Sequence, residues 1–263
     1  MGSHRFGITN LGSGSSGNAT VIHTPEGSLL VDAGFSGREL HARLALCGID
    51  PGSIKAVLIT HEHGDHTKGC RIFSDAYDIP CYTTSITCKA LTKLNRIGKK
   101  KIIFTAGVPF SIAGITVEPF SVPHDAPDTV AFNFLHDGCK ISIATDLGSV
   151  NSLASMRLTD ADAILLESNH DEKMLAASGR PLQTIRRIMS NHGHLSNTAA
   201  MQTLDTILTD KTRFLLFGHL SSECNSRDLV EEMAHDRLDY LDRNDITYRI
   251  AEQSTPTETF WVI

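Results

Sequence analysis

The chain has 263 residues, of which 41% are hydrophobic, and a formal net charge of −6 at pH 7. No apolar run approaches the ~20 residues that a transmembrane helix needs, and no secretory signal is apparent, so we expect a cytoplasmic protein with no membrane partner. The composition is that of an ordinary globular protein. The net charge neither indicates nor excludes a nucleic-acid partner.

The six cysteines contain no CxxC pair and no dense framework. Buried free thiols of a cytoplasmic protein are therefore expected, rather than disulfides or metal ligands. Residues 1–4 have the composition of a cloning remnant, and no inference is placed on them. The candidate ligands described below run from His61 to His219, so both halves must close on one site. We therefore expect a single domain over residues 1–263.

The first 47 residues predict three strands and a helix. Strand-like segments at 6–9 and 19–23 flank a Gly/Ser loop at 12–18, and a third strand at 28–31 leads into Asp32. Apolar spacing predicts a helix over 37–47. The loop is either a flexible turn or a polar loop that approaches a phosphate, and the residues alone leave both interpretations open.

Four residues of metal-ligand type follow the next predicted strand, at 56–60. They are His61, His63, Asp65 and His66, within the segment HEHGDH. Alternation in an extended segment places the first three on one side, and Gly64 lets the chain turn so that His66 joins them. Imidazole and carboxylate suit zinc, manganese or iron. A solvated histidine-rich loop is the alternative.

The same pattern recurs later in the chain, which disfavours that alternative. Three further apolar, strand-like runs each end in one residue of ligand type, namely 120–123 before His124, 140–145 before Asp146, and 214–218 before His219. Sites of layered α/β folds lie on such edges, where strands stop and loops begin. The four segments together predict one metal centre.

The remaining segments predict an alternation of strands and helices. Helices are expected at 67–80, 84–94, 182–190, 198–208 and 227–241, with strands within 102–146, at 161–166 and within 246–262. The basic stretch 93–101 is either a solvated turn or a docking patch for backbone phosphates. The pattern fits a two-sheet α/β sandwich with helices outside.

The motif HxHxDH, followed by a lone His, a lone Asp and a final His, resembles the metallo-β-lactamase fold superfamily over nearly the whole chain. Further segments resemble its YycJ/WalJ-like branch, at 12–18, 145–148, 167–171, 193–197 and 219–225. The resemblance implies an αββα four-layer sandwich of two mixed β-sheets flanked by helices. It also implies no β-CASP insertion, since only 219 − 146 = 73 residues separate Asp146 from His219.

The resemblance also implies the ligand set. His61, His63 and His124 correspond to the ligands of one divalent ion, and Asp65, His66 and His219 to those of a second. Asp146 corresponds to the bridging carboxylate. The two ions are expected to be zinc or manganese, with iron as an alternative. The resemblance also implies residues that support the ligands or contact the substrate, namely Asp32, Ser15, Asn18, Glu167, Asn169, His170, Ser196 and Asn225.

The function implied by the branch is a 5′→3′ exonuclease acting on DNA, in DNA repair. A metal-activated hydroxide would attack phosphorus, and Asp65 would orient or deprotonate the water from which that hydroxide forms. His194 would protonate the leaving group. A purely structural His194 is the alternative, and His192 is a weaker candidate for the donor. Other functions left open are a cyclic-nucleotide-type phosphodiesterase, a glyoxalase II-like thioesterase and a non-catalytic binding protein. A homo-oligomer is also left open.

Overall fold

The computed structural model describes residues 5–263, and the interpretation of residues 1–4 as a cloning remnant lies outside this range. The strands of the described part are β1 (Gly7–Gly12), β2 (Ala19–Thr24), β3 (Gly27–Val31), β4 (Ile54–Leu58), β5 (Cys81–Thr83), β6 (Lys101–Ile103), β7 (Phe110–Ile112), β8 (Ile115–Ser121), β9 (Val130–His136), β10 (Cys139–Ala144), β11 (Ala163–Glu167), β12 (Phe214–Gly218), β13 (Thr247–Ile250) and β14 (Phe260–Trp261). The α-helices there are α1 (Gly37–Leu46), α2 (Gly64–Thr67), α3 (Cys70–Ala76), α4 (Ser85–Lys93), α5 (Ser152–Leu158), α6 (Glu172–Ala177), α7 (Leu182–Ile188), α8 (Asn197–Ile207) and α9 (Arg227–Tyr240).

The strands form two seven-stranded sheets. The first has the order β14-β1-β2-β3-β4-β5-β6, and the second has the order β13-β12-β11-β10-β9-β8-β7. Both are mixed. In the first sheet β1, β2 and β3 pair antiparallel, and β3 to β6 pair parallel. In the second, β7 to β10 pair antiparallel and β10 to β13 pair parallel.

Each sheet is buried on both faces, which explains why its central strands are almost continuously apolar. Leu29 and Leu58 of the first sheet share a core cluster with Phe132 and Leu165 of the second. The neighbouring residue Leu30 faces the other way, into a cluster with α1, α3 and α4. Complete burial of one such side chain stabilises the fold by about 1.5–3 kcal/mol.

A third cluster covers the outer face of the second sheet. It joins Ile164 and Leu215 of β11 and β12 to Leu158 of α5, Leu204 of α8 and Leu238 of α9. The order of layers is therefore helices, sheet, sheet, helices. The predicted αββα sandwich of two mixed sheets is confirmed.

The predicted helices are confirmed with one exception. The segment predicted as a helix over 67–80 contains α3 only from Cys70 to Ala76, because the chain at Gly69 is held to the 33–35 loop. Gly69 N donates to Ala33 O at 2.8 Å. A Cβ at Gly69 would lie 2.1 Å from Phe35 O, so this close approach requires glycine. Among the described residues, no helix is long and apolar enough to cross a membrane.

Candidate metal centre

Candidate ligands from both sheets meet just beyond the carboxyl ends of their strands. Asp32 follows β3, the 61–66 segment follows β4, Asp146 follows β10, and His219 follows β12. Asp32, Asp146 and His219 have φ angles of 59°, 57° and 57°. Residues other than glycine rarely adopt this left-handed region, and such strained positions are concentrated at functional sites. The chain therefore turns sharply at three of the predicted site residues.

The 61–66 segment starts extended and then turns into α2. His63 is the N-cap, with φ −59° and ψ 152°, and the helix begins at Gly64. His61 and His63 therefore follow the predicted alternation. The prediction that Asp65 shares this extended alternation is wrong, because Asp65 already lies in the first turn of α2, next to His66.

Three histidines form the first part of the cluster. The ring centroids of His61 and His63 are 4.5 Å apart, and those of His61 and His124 are 5.0 Å apart. Nδ1 of His63 lies 3.4 Å from Nε2 of His124. One ring nitrogen of each residue lies within 4.8 Å of the other two, a spacing suited to one metal ion.

Asp65, His66 and His219 form the second part. Oδ2 of Asp65 lies 3.5 Å from Nε2 of His66 and 3.4 Å from Nε2 of His219. His66 and His219 are buried, whereas the Asp65 side chain is about one-quarter exposed. Two imidazoles and a carboxylate form a donor set typical of zinc and manganese.

Asp146 lies between the two parts. Its Oδ2 is 2.9 Å from Nε2 of His66, and its Oδ1 is 3.7 Å from Nε2 of His124. The same carboxylate thus approaches one histidine from each predicted ligand set. This is the position that a bridging carboxylate would need.

The outer nitrogens of these histidines are held by acceptors in the protein. Nδ1 of His66 donates to Oδ2 of Asp32 at 2.7 Å, and Nδ1 of His124 donates to the Gly193 carbonyl at 3.0 Å. His219 is held in the same way, since its Nδ1 lies 3.0 Å from Oε1 of Glu167. Each contact fixes the tautomer and leaves Nε2 facing the cluster, which is the usual arrangement of metal-ligating histidines.

Two buried polar atoms at the centre support a fit to metal. Nε2 of His61 and Oδ2 of Asp146 have no hydrogen-bond partner among residues 5–263, although Oδ2 lies close to His66. Leaving such atoms unpaired is costly unless a ligand satisfies them. The donor types and their convergence therefore fit one or more divalent cations, as the sequence predicts.

The electrostatics of the cluster keep its carboxylates ionised. Burial opposes ionisation of Asp146, but His219 and His66 outweigh it and hold the pKa of Asp146 well below its usual value. Burial likewise opposes charge on His219, but Asp146, Asp65 and Glu167 raise its pKa to about 10. Ionised carboxylates are the form that binds cations.

Asp32 is buried, and both of its carboxylate oxygens accept hydrogen bonds from the 60–66 segment. Besides His66, it accepts from the backbone N–H of Thr60 at 2.9 Å and from Thr60 Oγ1 at 2.9 Å. Thr60 Oγ1 in turn lies 2.9 Å from Nδ1 of His61. Asp32 therefore orients histidines of both predicted ligand sets, one of them through Thr60.

The Gly/Ser loop reaches the centre through Asn18 and Ser13. Nδ2 of Asn18 lies 3.1 Å from Nε2 of His66 and 3.4 Å from Oδ2 of Asp65. Ser13 Oγ donates to Asn18 Oδ1 and accepts from the backbone N–H of His219. Ser15 is exposed and makes no side-chain hydrogen bond within the described part of the chain, so its predicted role remains a prediction.

Four more of the residues predicted to support the ligands or contact the substrate have defined partners, and two of them belong to the 167–171 segment. Nδ2 of Asn169 donates to the His219 carbonyl at 2.7 Å, and His170 Nδ1 lies 3.3 Å from Asn169 Oδ1. Ser196 caps α8 and donates to Glu172. Asn225 is buried against Asn197 and the Ser168 carbonyl, where it joins two loops rather than contacting a ligand.

His194 lies at the rim of the cluster. Its Nδ1 is 2.8 Å from Oε1 of Glu167 and 3.7 Å from Oδ1 of Asp146, and its side chain is 18% exposed. Burial lowers the pKa of His194, but Glu167 and Asp146 outweigh burial and raise it. The imidazole thus has an anchored Nδ1, access to solvent and a stabilised protonated form, which are the properties of a general acid.

Three contacts of Asp125 at the site were missed in the sequence. Oδ1 of Asp125 lies 3.2 Å from Nε2 of His124 and 3.8 Å from Nε2 of His63, and Oδ2 of Asp125 is bonded to the Arg187 guanidinium. Asp125 directly follows a predicted ligand, which was the available signal.

The basic stretch 93–101 is partly engaged elsewhere, since Lys100 pairs with Asp78 and Lys101 donates to Thr92.

The family model of the beta-lactamase superfamily domain matches residues 28–219, a span that includes all seven predicted ligands. The chain belongs to this family. A solved structure of the metallo-beta-lactamase fold protein YhfI from Bacillus subtilis has the same fold, with a TM-score of 0.73 at 17% identity, covering 97% of this chain and 99% of that one.

Within the family, the chain falls in the YycJ/WalJ branch. It is 36% identical to the exodeoxyribonuclease YycJ of Bacillus anthracis, over 88% of this chain and 87% of that protein. It is 32% identical to the exodeoxyribonuclease WalJ of Streptococcus pneumoniae strain D39, over 97% and 96%. The chain is a metal-dependent hydrolase.

Proposed function

We propose that this hydrolase is a phosphodiesterase that degrades DNA from the 5′ end, in DNA repair. The observation that carries the proposal is the convergence of seven ligand-type residues with His194 at one edge of the two sheets. The names of its relatives, exodeoxyribonucleases YycJ and WalJ, support DNA as the substrate.

The proposed centre holds two divalent ions, zinc or manganese. His61, His63 and His124 would hold one, Asp65, His66 and His219 the other, and Asp146 would contact both. When bound, two such ions supply a nucleophile at neutral pH and positive charge for the phosphate oxygens. Hydrogen bonds to Nδ1 of three of these histidines support this assignment. The acceptors are Asp32 for His66, the Gly193 carbonyl for His124 and Glu167 for His219.

Two residues of the chain are proposed to move or hold protons. Asp65 is the partly exposed carboxylate of the predicted ligand set, and it orients the attacking water or accepts its proton. His194 donates the proton that the leaving alkoxide needs, with Glu167 holding its Nδ1. The proton would come from Nε2 of His194, because Nδ1 is bound to the carboxylate.

The other parts of the proposal concern location and assembly. The six cysteines are free thiols in the structure, which supports a cytoplasmic location. Ligands drawn from both sheets support one domain over residues 1–263. A homo-oligomer remains a prediction.

A small phosphodiester is the second candidate substrate. A cavity of about 450 Å³ lies beside His194, within the roughly 300–1,000 Å³ range of small-molecule sites. A small substrate would be hydrolysed without any need for the basic stretch 93–101, whereas DNA binding would depend on cationic side chains and on salt.

The test is hydrolysis of end-labelled single- and double-stranded DNA with manganese or zinc. We expect metal-dependent shortening from the 5′ end by the wild type, and loss of it in His61→Ala and in Asp146→Asn. Lys55→Gln is the control, since Lys55 is exposed and lies on β4, whose other end leads to His61. Hydrolysis of a chromogenic phosphodiester by an enzyme that leaves DNA and RNA intact would favour the small substrate instead.

A further inference from the structure

The cavity beside His194 opens next to the proposed reaction centre but is built from other elements. His194 and His170 line it on the side of the metal centre. Residues from the loop after β10, from the loop after α7 and from α8 form the rest, among them Ser149, Met189, Asn191 and Gln202. His194 is thus shared between the cavity and the cluster.

The lining of the cavity is mostly polar. Ser149, Asn191 and Gln202 offer hydroxyl and amide groups, Met189 offers an apolar surface, and Glu172 adds a carboxylate. No lysine or arginine lines it among residues 5–263. Such a lining suits the edges and face of a base and a sugar, and it does not suit a run of phosphates.

The rim of the cluster next to His63 carries two arginine side chains, Arg187 and Arg96, and is called the cationic rim. Arg187 pairs with the Asp125 carboxylate, whose other oxygen is 3.8 Å from Nε2 of His63. A Cβ built on Gly64, the residue after His63, would lie 3.2 Å from a guanidinium nitrogen of Arg96. Two guanidinium groups therefore flank His63, whose side chain is 39% exposed.

We propose that the cavity receives the single terminal nucleoside of the strand as the leaving group, while the remaining strand passes His63 and is held by Arg187 and Arg96. The proposal rests on the proposed nuclease function of the same centre. It orients the strand by charge, with the terminal base and sugar in the cavity, which no lysine or arginine of residues 5–263 lines, and the run of phosphates beside the two guanidinium groups.

The chemistry is consistent with this orientation. Water oxygen forms a bond to phosphorus, the bond from phosphorus to the 3′ oxygen of the terminal nucleoside breaks, and that oxygen takes a proton from His194. The leaving oxygen must therefore lie on the His194 side, where the cavity is. The remaining strand keeps the phosphate as its new 5′ end.

A terminal base can enter this cavity only after it leaves its stack and its pairing partner. Unpairing costs a few kcal/mol in enzymes that take a base out of a duplex. We therefore expect one unit to be released per cut, a nucleoside from a 5′-hydroxyl end and a mononucleotide from each 5′-phosphate end that an earlier cut has left. Single-stranded or frayed 5′ ends should be cut faster than blunt paired ends.

The first test fills the cavity with Gln202→Trp. Gln202 is exposed on α8, and Gln202→Ala is the matched variant that shortens the side chain without filling the space. We expect Gln202→Trp to raise KM for single-stranded DNA at least about fivefold, roughly the effect of one lost hydrogen bond, with a smaller change in Gln202→Ala. The far-UV circular dichroism spectrum and the urea-unfolding midpoint of both variants should match those of the wild type, which shows that the variants are folded.

A second test uses the wild type alone, with a strand whose 5′-terminal nucleotide lacks its base. We expect its KM to rise relative to the intact strand. Equal KM values for the two strands, or an unchanged KM in Gln202→Trp, would overturn the assignment of the cavity.

A third test measures the KM of the metal-loaded enzyme for single-stranded DNA at several salt concentrations, with KM taken as the measure of binding. Arg96→Gln and Arg187→Gln should each weaken binding and reduce its salt dependence, and Lys55→Gln should do neither. Equal binding by all three variants would overturn the assignment of the cationic rim. If the wild type degrades no DNA at all, the proposed nuclease function fails, whereas normal degradation with no effect of the variants removes only this inference.

Discussion

His194 and His219 share one acceptor atom. Nδ1 of His194 lies 2.8 Å, and Nδ1 of His219 lies 3.0 Å, from Oε1 of the fully buried Glu167. The second oxygen of Glu167 accepts from the backbone N–H of Leu147 at 2.9 Å. Burial opposes ionisation of Glu167, but His194 and His219 lower its pKa to about 2. One carboxylate thus couples a predicted metal ligand to the predicted proton donor.

Glu167→Gln should therefore impair both metal binding by His219 and proton donation by His194. An amide cannot accept from both imidazoles and from Leu147 N–H, because one of its two polar atoms is a donor. We expect a decrease of about 10- to 100-fold in metal affinity or kcat, as for other groups that orient metal ligands. Metal content by atomic emission and kcat on single-stranded DNA check this. Unchanged values of both would contradict the shared role.

His194→Ala should separate proton donation from metal binding. A DNA alkoxide needs a proton to leave, whereas p-nitrophenolate leaves without one, so only the first reaction depends on a general acid. We expect kcat on DNA to fall by about 10²–10⁴-fold. Hydrolysis of a p-nitrophenyl phosphodiester should fall much less, at equal metal content. Equal losses on the two substrates would indicate a structural histidine.

Asp32→Asn should weaken the site without altering the turn at that position. Asparagine tolerates the left-handed conformation found there, with φ 59°. Its amide can replace only one of the two oxygens that bind Thr60 and His66. We expect about 10- to 100-fold weaker metal binding, measured by competition with a chelating dye, and an unchanged far-UV circular dichroism spectrum. Wild-type metal affinity in this variant would show that Asp32 does not orient the ligands.

Much of the site was predictable because the ligands follow strands. Apolar runs that end in His61, His124, Asp146 or His219 predict both the strand and the edge that its ligand occupies. Local conformation beyond a strand end is harder to predict. The extended alternation fails at Asp65 because α2 begins one residue earlier, at Gly64.

Contacts that depend on the tertiary fold were not predictable. The loop at 12–18 has several serines, and the sequence does not indicate that Ser13 rather than Ser15 faces His219. Arg187 reaches Asp125 only because α7 packs beside the β8–β9 loop, and 62 residues separate the two in the chain. The periodicity of a single segment carries no information about such pairings.

Gly34→Ala should disrupt the site through the backbone. A Cβ at Gly34 would lie 1.6 Å from the Asp65 carbonyl oxygen, and Asp65 also accepts there from Asn18 N–H. The Gly34 and Asp65 backbones cannot move apart without displacing α2, which contains Asp65. We expect destabilisation of about 3 kcal/mol or more together with lost metal binding. Gly48→Ala is the control, since a Cβ there meets nothing within 4 Å and φ 65° is the sole strain, worth about 1 kcal/mol. Urea unfolding of both variants distinguishes them, and similar losses would contradict the close approach.

His23 should make the protein less stable in mild acid. It is partly buried on β2, its Nε2 lies 2.8 Å from Thr9 Oγ1, and burial lowers its pKa from 6.5 to about 4. Above pH 6.5 the imidazole is neutral in both folded and unfolded chains. Between pH 6.5 and 4 His23 is protonated in the unfolded chain but neutral in the folded protein. The free energy of unfolding therefore falls as the pH falls. Below about pH 4 both states are protonated, and this contribution no longer changes.

The size of this effect can be isolated with His23→Gln, which keeps a polar side chain near Thr9 but does not titrate. From the two pKa values, His23 should cost about 2 kcal/mol of stability at about pH 5 relative to about pH 7. Urea unfolding of wild type and variant at both pH values, with the same metal loading, gives the two differences. Because the metal-centre groups contribute equally to both proteins, the variant should lose less stability on acidification by that amount. An identical loss in the two proteins would show that His23 accepts its proton in the folded state.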